Sequence, residues 1–442
     1  MTESVARFEL IEQELNRVDG YAPSQGHPKH LKMANNPFVF LRGSAQLFYA
    51  DLASGVIKLP PSLYKLPLTT IMGDCHSANF GFLSEEGSHG DSIIFCPNDF
   101  DDACIGHAAW DLLRFAVSLA LAVDYAQGIQ QGLYTTEYEV KDKPAVSSAE
   151  TRAAIEAFLE AYTDICHEGL SDPQSRLFAI SGFHSGHILS KRYQKALGRT
   201  CGGEAFTEKS SLAKAVDLNV LPLRFKALPE RFNAISALLY QEIEETFAPY
   251  VDDSIIDIVQ RVNAGTGSVN MARYYLLVGP KTQEGITPDL ALYHIVEVKK
   301  QRHAAPLFHF PSLSPVNQLN PAHLTVNCQL RMQRRPDLVL DEAEWQGAHW
   351  LIRSRHHARV GIDPEQITFG KKAVKGGFID YAATCGEALA LAHCRGDRRS
   401  TQFEAAVSEL LPDQVQSLIN CALDYAEQVK QDCKVLRQML AG

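Results

Sequence analysis

Two polar loops constrain this chain more than any other feature. They are Gly73-Asp74-Cys75-His76-Ser77-Ala78-Asn79-Phe80-Gly81 and Asn98-Asp99-Phe100-Asp101-Asp102, and each follows a short apolar run, Leu68–Met72 and Ile93–Cys96. Runs this short and this apolar predict buried strands. A loop that leaves a buried strand is aimed by a rigid scaffold, which is where chemistry tends to be carried. Just downstream, Trp110, Leu113, Val117 and Leu121, together with Leu112, Phe115, Leu119 and Val123, make a helix that is apolar almost all round. Such a helix belongs in a core. The fold therefore has to enclose one helix completely and hold two acidic loops beside it.

The loops carry a recognisable set of groups. Phosphoryl transfer needs one carboxylate to orient the incoming nucleophile, and an Asn with a second Asp to hold Mg²⁺ on the nucleotide phosphates. Asp74 suits the first role, and Asn79, Asp99 and Asp101 suit the second. An Asp and an Asn in one loop also describe ordinary turn residues. Gly73, Gly81 and the Asp-Phe-Asp that follows add weight to the chemical reading, as does Asp111, which opens the apolar helix and either caps it or braces the Asp74 loop. His76 and His107 leave an alternative open: with Asp74, Asp99 and Asp102 they form the donor set of a dinuclear metal site. A hydrogen-bonded loop histidine is the plainer reading of His76.

A second motif, Ala264-Gly265-Thr266-Gly267-Ser268-Val269-Asn270, precedes a β-type segment, Arg273–Val278. A glycine turn there lets backbone N–H groups approach phosphates, through Gly265, Gly267 and Ser268. Another β-type segment, Leu292–Val298, ends at Lys299, which this layout assigns to the α- and β-phosphates. Read singly, Lys299 and Lys300 are ordinary strand-end lysines. A third motif, Gly386-Glu387-Ala388-Leu389-Ala390-Leu391-Ala392-His393, lies on a helical stretch near the C-terminus.

The pattern Asp…Asn…Asp-Phe…Asp resembles that of aminoglycoside- and choline-kinase-like enzymes, with Met72 in place of their His before Gly-Asp. In those enzymes the Leu-Ala-x-x-His helix stands just before the Asp/Asn loop. Here the same parts are cut between them, so the chain reads as a circular permutation. More broadly it resembles the bacterial family of domain of unknown function 2252. The matching pieces are Lys32-Met33, Pro37–Gly43, Gly73–Gly81, Asn98–Asp102, Trp110-Asp111-Leu112, Gly265–Val269, Val298-Lys299, Trp350–Arg353 and Tyr381–Asp397. The chain departs from the family pattern at Asn270, where a further Gly is usual, and at Lys299-Lys300-Gln301, where Lys-Glu-Ala is usual. That family is regarded as protein-kinase-like.

The resemblance implies an α+β, protein-kinase-like two-lobe fold: an N-terminal arm with helices (1–70), a helical catalytic lobe (71–250), a β-rich nucleotide lobe (251–365) and C-terminal helices (366–442) that return to the catalytic lobe. It implies ATP and Mg²⁺, or Mn²⁺, with an unknown small-molecule hydroxyl acceptor. A catalytically inactive nucleotide-binding protein, a nucleotidyl transferase and a metal-dependent phosphoesterase are the alternatives. Glu342 and Glu344 are candidate carboxylate partners for Lys299. Arg42 and Arg353 suit either a substrate anion or structural ion pairs.

Composition sets the outer limits. In 442 residues the net charge is −10, which argues against nucleic acid as a partner. Ten cysteines with no C-x-x-C pair argue against a zinc ribbon. The N-terminal MTESVARFELIEQELNR has no apolar leader, and the apolar run at 115–123 is too short to span a bilayer, so a cytoplasmic location away from membranes is expected. Residues 38–53 are expected to begin extended and become helical, and 206–217 and 229–249 to be helices.

Overall fold

In the computed structural model, which describes residues 3–85, 90–265, 271–282, 287–397 and 400–442, both acidic loops do issue from buried strands. Strand β1 (Thr69–Ile71) enters the first loop and β2 (Phe80–Ser84) leaves it; β3 (Ile93–Pro97) enters the second and β4 (Cys104–Gly106) leaves it. β1 pairs with β4, and β2 with β3, both antiparallel. Because Ile71 faces Cys104 and Phe80 faces Pro97, the two loops emerge side by side. The Asn98 N–H donates to the Asn79 carbonyl at 3.0 Å and ties them together.

The apolar helix runs over Ala108–Gln130, longer than the apolar run in the sequence. By length and composition it is sufficient to cross a membrane, but its surface is covered by protein. Helices Pro37–Gly43, Ser148–Ser171, Pro364–Thr368 and Val415–Ala441 pack around it. Helix Gly377–Gly396 crosses Ser148–Ser171 so closely that a Cβ on Gly386 would lie 2.2 Å from the Phe158 carbonyl oxygen. Both chain ends join this lobe. Arg7, in helix Glu3–Asp19, donates to Asp432 (Nε–Oδ1 2.8 Å) and to Asp51 (Nη2–Oδ2 2.8 Å), and Tyr425 donates to Asp51 at 2.7 Å.

The rest of the chain builds an antiparallel sheet. A two-residue ladder, β5 (Val216–Asp217) with β6 (Arg224–Phe225), precedes it. The sheet proper contains β7 (Phe232–Asn233), β8 (Ile255–Arg261), β9 (Arg273–Val278), β10 (His294–Lys300), β11 (Leu340–Trp345) and β12 (Ala348–Arg355), in the spatial order β11-β12-β10-β9-β8-β7. Alternation along the strands sorts two apolar faces. Tyr274, Leu276, Val278, Val296 and Val298 pack with Ile243, Phe247, Trp345 and Trp350. Tyr275, Leu277 and Ile295 pack with Phe206, Leu212, Val216 and Phe225. A short β13 (Val360–Gly361) then pairs with β2. The architecture is α+β, with a helical body and a mainly antiparallel β body.

Three local expectations differ from what is found. Residues 37–43 are helical from the start, because Asn36 Oδ1 accepts from the Val39 N–H at 2.9 Å and Pro37 occupies the first helical turn. The stretch 206–217 breaks into Phe206–Lys209 and Ser211–Ala215, the second capped by Ser210. In 229–249 the helix is Ala237–Phe247, capped by Ser236, and β7 lies before it. Sheet-packed structure thus begins well before residue 251, with the 206–225 segment on one face and Ile243 and Phe247 on the other.

Candidate functional site

Gly73 has φ +74°, and a Cβ there would lie 1.9 Å from the carbonyl oxygen of Asp102. Only glycine permits that backbone conformation at that separation without strain. The Asp74 loop is then pinned from beneath. Asp111 Oδ2 accepts the Met72 N–H at 2.6 Å and Oδ1 accepts the Gly73 N–H at 3.1 Å. Asp111 braces the loop; it does not cap its helix. Tyr162 O–H lies 2.7 Å from His393 Nδ1, and His393 Nε2 lies 3.1 Å from Asp111 Oδ2, so the proton on Nε2 faces the carboxylate. Asp111, His393 and Tyr162 are fully buried.

Above this support, Asp74 Oδ1 accepts from Arg114 Nε at 3.0 Å, and Arg114 also holds the Leu41 carbonyl at 2.6 Å. Asp74 Oδ2 has no such anchor; His76 Nε2 is 3.7 Å away. Burial, then Arg42 and Arg114, push the His76 imidazole well below its usual range, so it is neutral at pH 7. Its Nδ1 accepts the Ala78 N–H at 3.2 Å, which leaves the proton on Nε2, towards Asp74. Asn79 spends its amide Nδ2 on the Asp74 carbonyl at 3.0 Å, and its Oδ1 remains to accept from or ligate a visitor.

The second loop meets the sheet. Lys299, on β10 and fully buried, is ion-paired with Asp101, 198 residues away in sequence. Gln301 Nε2 donates to the other Asp101 oxygen at 3.1 Å. Arg302 grips Asp102 in a bidentate pair at 2.7 and 3.0 Å, and the Ala305 N–H adds a third bond at 2.7 Å. Asp99 is left between them. Burial, and then the Asp101 charge, push its carboxyl up to about 6. Burial also tends to raise Asp101, but Lys299 and Arg353 outweigh it and hold that carboxyl below the usual range. Burial lowers the Lys299 ammonium.

Arg42, Asp74, His76, Asn79, Asp99, Asp101 and Gly265 line one cleft, of about 80 Å³. Lys299 borders it through Asp101. Gly267 and Ser268 lie outside the described residues. Arg353 does not line the cleft: its Nε donates to Glu297 Oε2 at 2.9 Å, and Arg273 and Arg355 hold the other Glu297 oxygen at 3.1 and 3.2 Å. Glu342 bonds to Asn320 and His323, at 3.3 and 3.1 Å, and Glu344 is exposed, so neither pairs with Lys299. The dinuclear arrangement is not assembled. Asp102 is taken by Arg302, His107 packs against Tyr64 and Trp110, and no group of three or more His, Cys, Asp or Glu among the described residues is arranged to hold a metal ion. All ten cysteines are free thiols.

Sequence reasoning passed over Arg114, Glu297 and the Arg302–Asp102 pair. Two of these left signals. Arg114 is a charge inside a helix otherwise apolar on that side, and a buried charge needs a partner. Glu297 stands two residues before Lys299, hence on the same face of β10. Nothing in the sequence pointed Arg302 at Asp102.

Residues 22–135 and 140–439 match the family described as "Uncharacterized protein conserved in bacteria (DUF2252)", and the chain belongs to that family. No curated protein and no solved structure matches it.

Proposed function

From that family membership and the cleft, we infer that the chain is a kinase-like phosphotransferase dependent on ATP and Mg²⁺, acting on the hydroxyl of a small molecule. The observation that carries this reading is the meeting of Lys299 with Asp101 beside Asp74, Asn79, Asp99 and Gly265 in one cleft. Protein kinases carry their phosphate-binding Lys on their third strand, the second strand after the glycine loop. Here Gly265 lies between β8 and β9, and Lys299 follows on β10. The chain ends pack against one another through Arg7 and Asp432, which is the condition under which a permuted order of lobes is tolerated.

The donor set fits a hard divalent cation. Asp99 and Asn79 offer oxygens, and Mg²⁺ is usually held by one or two protein carboxylates with the remaining positions filled by phosphate and water. A carboxyl pushed up to about 6 by burial and then by a neighbouring Asp is relieved by a cation. The bound ion would neutralise charge on the phosphates. Asp74, steadied on one oxygen by Arg114, orients the acceptor hydroxyl and receives its proton through the other. Lys299 holds the phosphates. At about 80 Å³ the cleft is far smaller than the roughly 300–1,000 Å³ of typical ligand sites. Nucleotide binding on this reading would require the cleft to widen, with Lys299 exchanging Asp101 for phosphate.

The Asp99→Asn variant tests this assignment in two directions. Metal-dependent ATP turnover is expected to fall by roughly 100-fold or more, while the unliganded protein gains at most about 3 kcal/mol at pH 7.5. The sign follows from the titration. With about 6 in the folded state against an ordinary 3.8, stability falls as pH rises through that window, and the penalty is complete above it. The variant removes the penalty, so its advantage should fade as pH drops towards 4. Unchanged turnover refutes the assignment. ADP as product supports phosphoryl transfer; pyrophosphate release reassigns the site to nucleotidyl transfer, and nucleotide binding without turnover to a non-catalytic role.

A further inference from the structure

A second chamber, of about 410 Å³, adjoins the acidic cleft and shares Arg42 and Gly265 with it. Its volume suits a small organic molecule. The two spaces differ in their acidic lining. The cleft is lined by four aspartates beside Arg42 and Arg302, whereas none of the residues lining the chamber is acidic. Its polar wall consists of Lys32, Arg42, Asn35, Asn36, Thr135 and two tyrosines, Tyr125 and Tyr134. Arg437 stacks over the Tyr134 ring at 5.9 Å and donates to the Ala34 and Asn35 carbonyls at 2.7 and 2.9 Å, which puts a third cation at the rim.

Arg42 stands at the passage between the two spaces. Its Nε is buried and has no hydrogen-bond partner, and its guanidinium stacks on Phe38 at 6.0 Å. A buried guanidinium donor without an acceptor is costly unless a ligand supplies one. Planar guanidinium donors match carboxylate and phosphate oxygens.

We propose that this chamber is the acceptor subsite and that it takes a small hydroxylated anion, its carboxylate or phosphate held by Arg42 and its hydroxyl reaching Asp74. This rests on the phosphotransfer reading above. In the step itself the acceptor oxygen bonds to the γ-phosphorus as its proton passes to Asp74. The bond from that phosphorus to the bridging oxygen breaks, and the electron pair leaves with ADP. The cationic chamber selects the acceptor, and the aspartate cleft next to it carries the chemistry.

The test is thermal shift and calorimetric titration of the full chain with four probes at matched ionic strength: glycerate, glycerol 3-phosphate, glycerol and choline. ATP with Mg²⁺ is titrated separately. Glycerate, glycerol 3-phosphate or both are expected to raise the melting temperature, and which of them does so separates a carboxylate from a phosphate acceptor. Glycerol and choline are expected to do nothing. Arg42→Gln should weaken anion binding by roughly tenfold or more. Arg42→Lys, which keeps the charge, should retain part of it and guards against a folding defect. The proposal is overturned if neither anion binds, if glycerol or choline binds as well as the anions, or if Arg42→Gln binds them as the wild type does. If ATP with Mg²⁺ stabilises the protein and no anion does, the acceptor subsite fails and the nucleotide site stands. If the anions bind and ATP does not, the phosphotransfer reading fails, and the acceptor assignment with it.

Discussion

The Asp111→Ala variant is expected to lose about 3–5 kcal/mol of folding stability, the largest effect of any single substitution near the site. Asp111 is fully buried and serves three donors at once: the Met72 and Gly73 amides and His393 Nε2. Truncation leaves all three without an acceptor in a place that water does not reach, and each orphaned group costs about 1–3 kcal/mol. The loss should appear as a fall in the urea midpoint without a change in slope. Asp111→Asn is a sharper probe, because it keeps the volume. Its carbonyl still accepts, but its NH₂ now faces a donor. An intermediate loss is expected, with the Asp74 loop shifted and turnover reduced beyond what stability explains. A variant as stable as the wild type would show that Asp111 does not hold this loop.

The Lys299→Met variant should abolish metal-dependent ATP turnover, by about 100-fold to 1,000-fold or more, since it removes a preorganised cation from the phosphates. It should also cost stability, because Asp101 loses the ammonium that keeps it ionised in the cleft. The two losses have different causes and can be separated. Adding Asp101→Asn to Lys299→Met removes the stranded charge, so the double variant should recover stability while turnover stays absent. Recovery of both would mean that Lys299 matters only as a structural counter-ion. Loss of stability alone, with turnover intact, would remove the cation from the phosphate site.

Much of the helical body was legible because its signals are local. The runs before each loop and the apolar residues from Trp110 to Val123 follow from residue order and period, and in the β body the β-type composition of Arg273–Val278 marked its strand. Helix starts were less legible where the cap was ignored. Asn36-Pro37, Ser210 and Ser236 mark the true starts, and each carries the side-chain acceptor that a helix N-terminus needs. The contacts that build the cleft were harder to read. That Lys299 reaches Asp101 follows from pairings 198 residues apart, which no local period encodes. The role of Arg302 depends on a bidentate grip on Asp102 between two bodies of the fold. Arg353 shows the limit of reading by residue type. Residue type left it open between a substrate anion and a structural ion pair, and the pairing with Glu297 on the neighbouring strand decides for the ion pair.

The central claim, that one nucleotide with its metal sits between Lys299 and the aspartate loops, is tested most directly by the anomalous scattering of Mn²⁺ in crystals grown with a non-hydrolysable ATP analogue. The account predicts a single manganese peak about 2–2.5 Å from an Asp99 oxygen and Asn79 Oδ1, with the β- or γ-phosphate within hydrogen-bond reach of Lys299 Nζ and Asp101 released from it. A peak elsewhere, or analogue bound away from Lys299 with the Lys299–Asp101 pair intact, would contradict it.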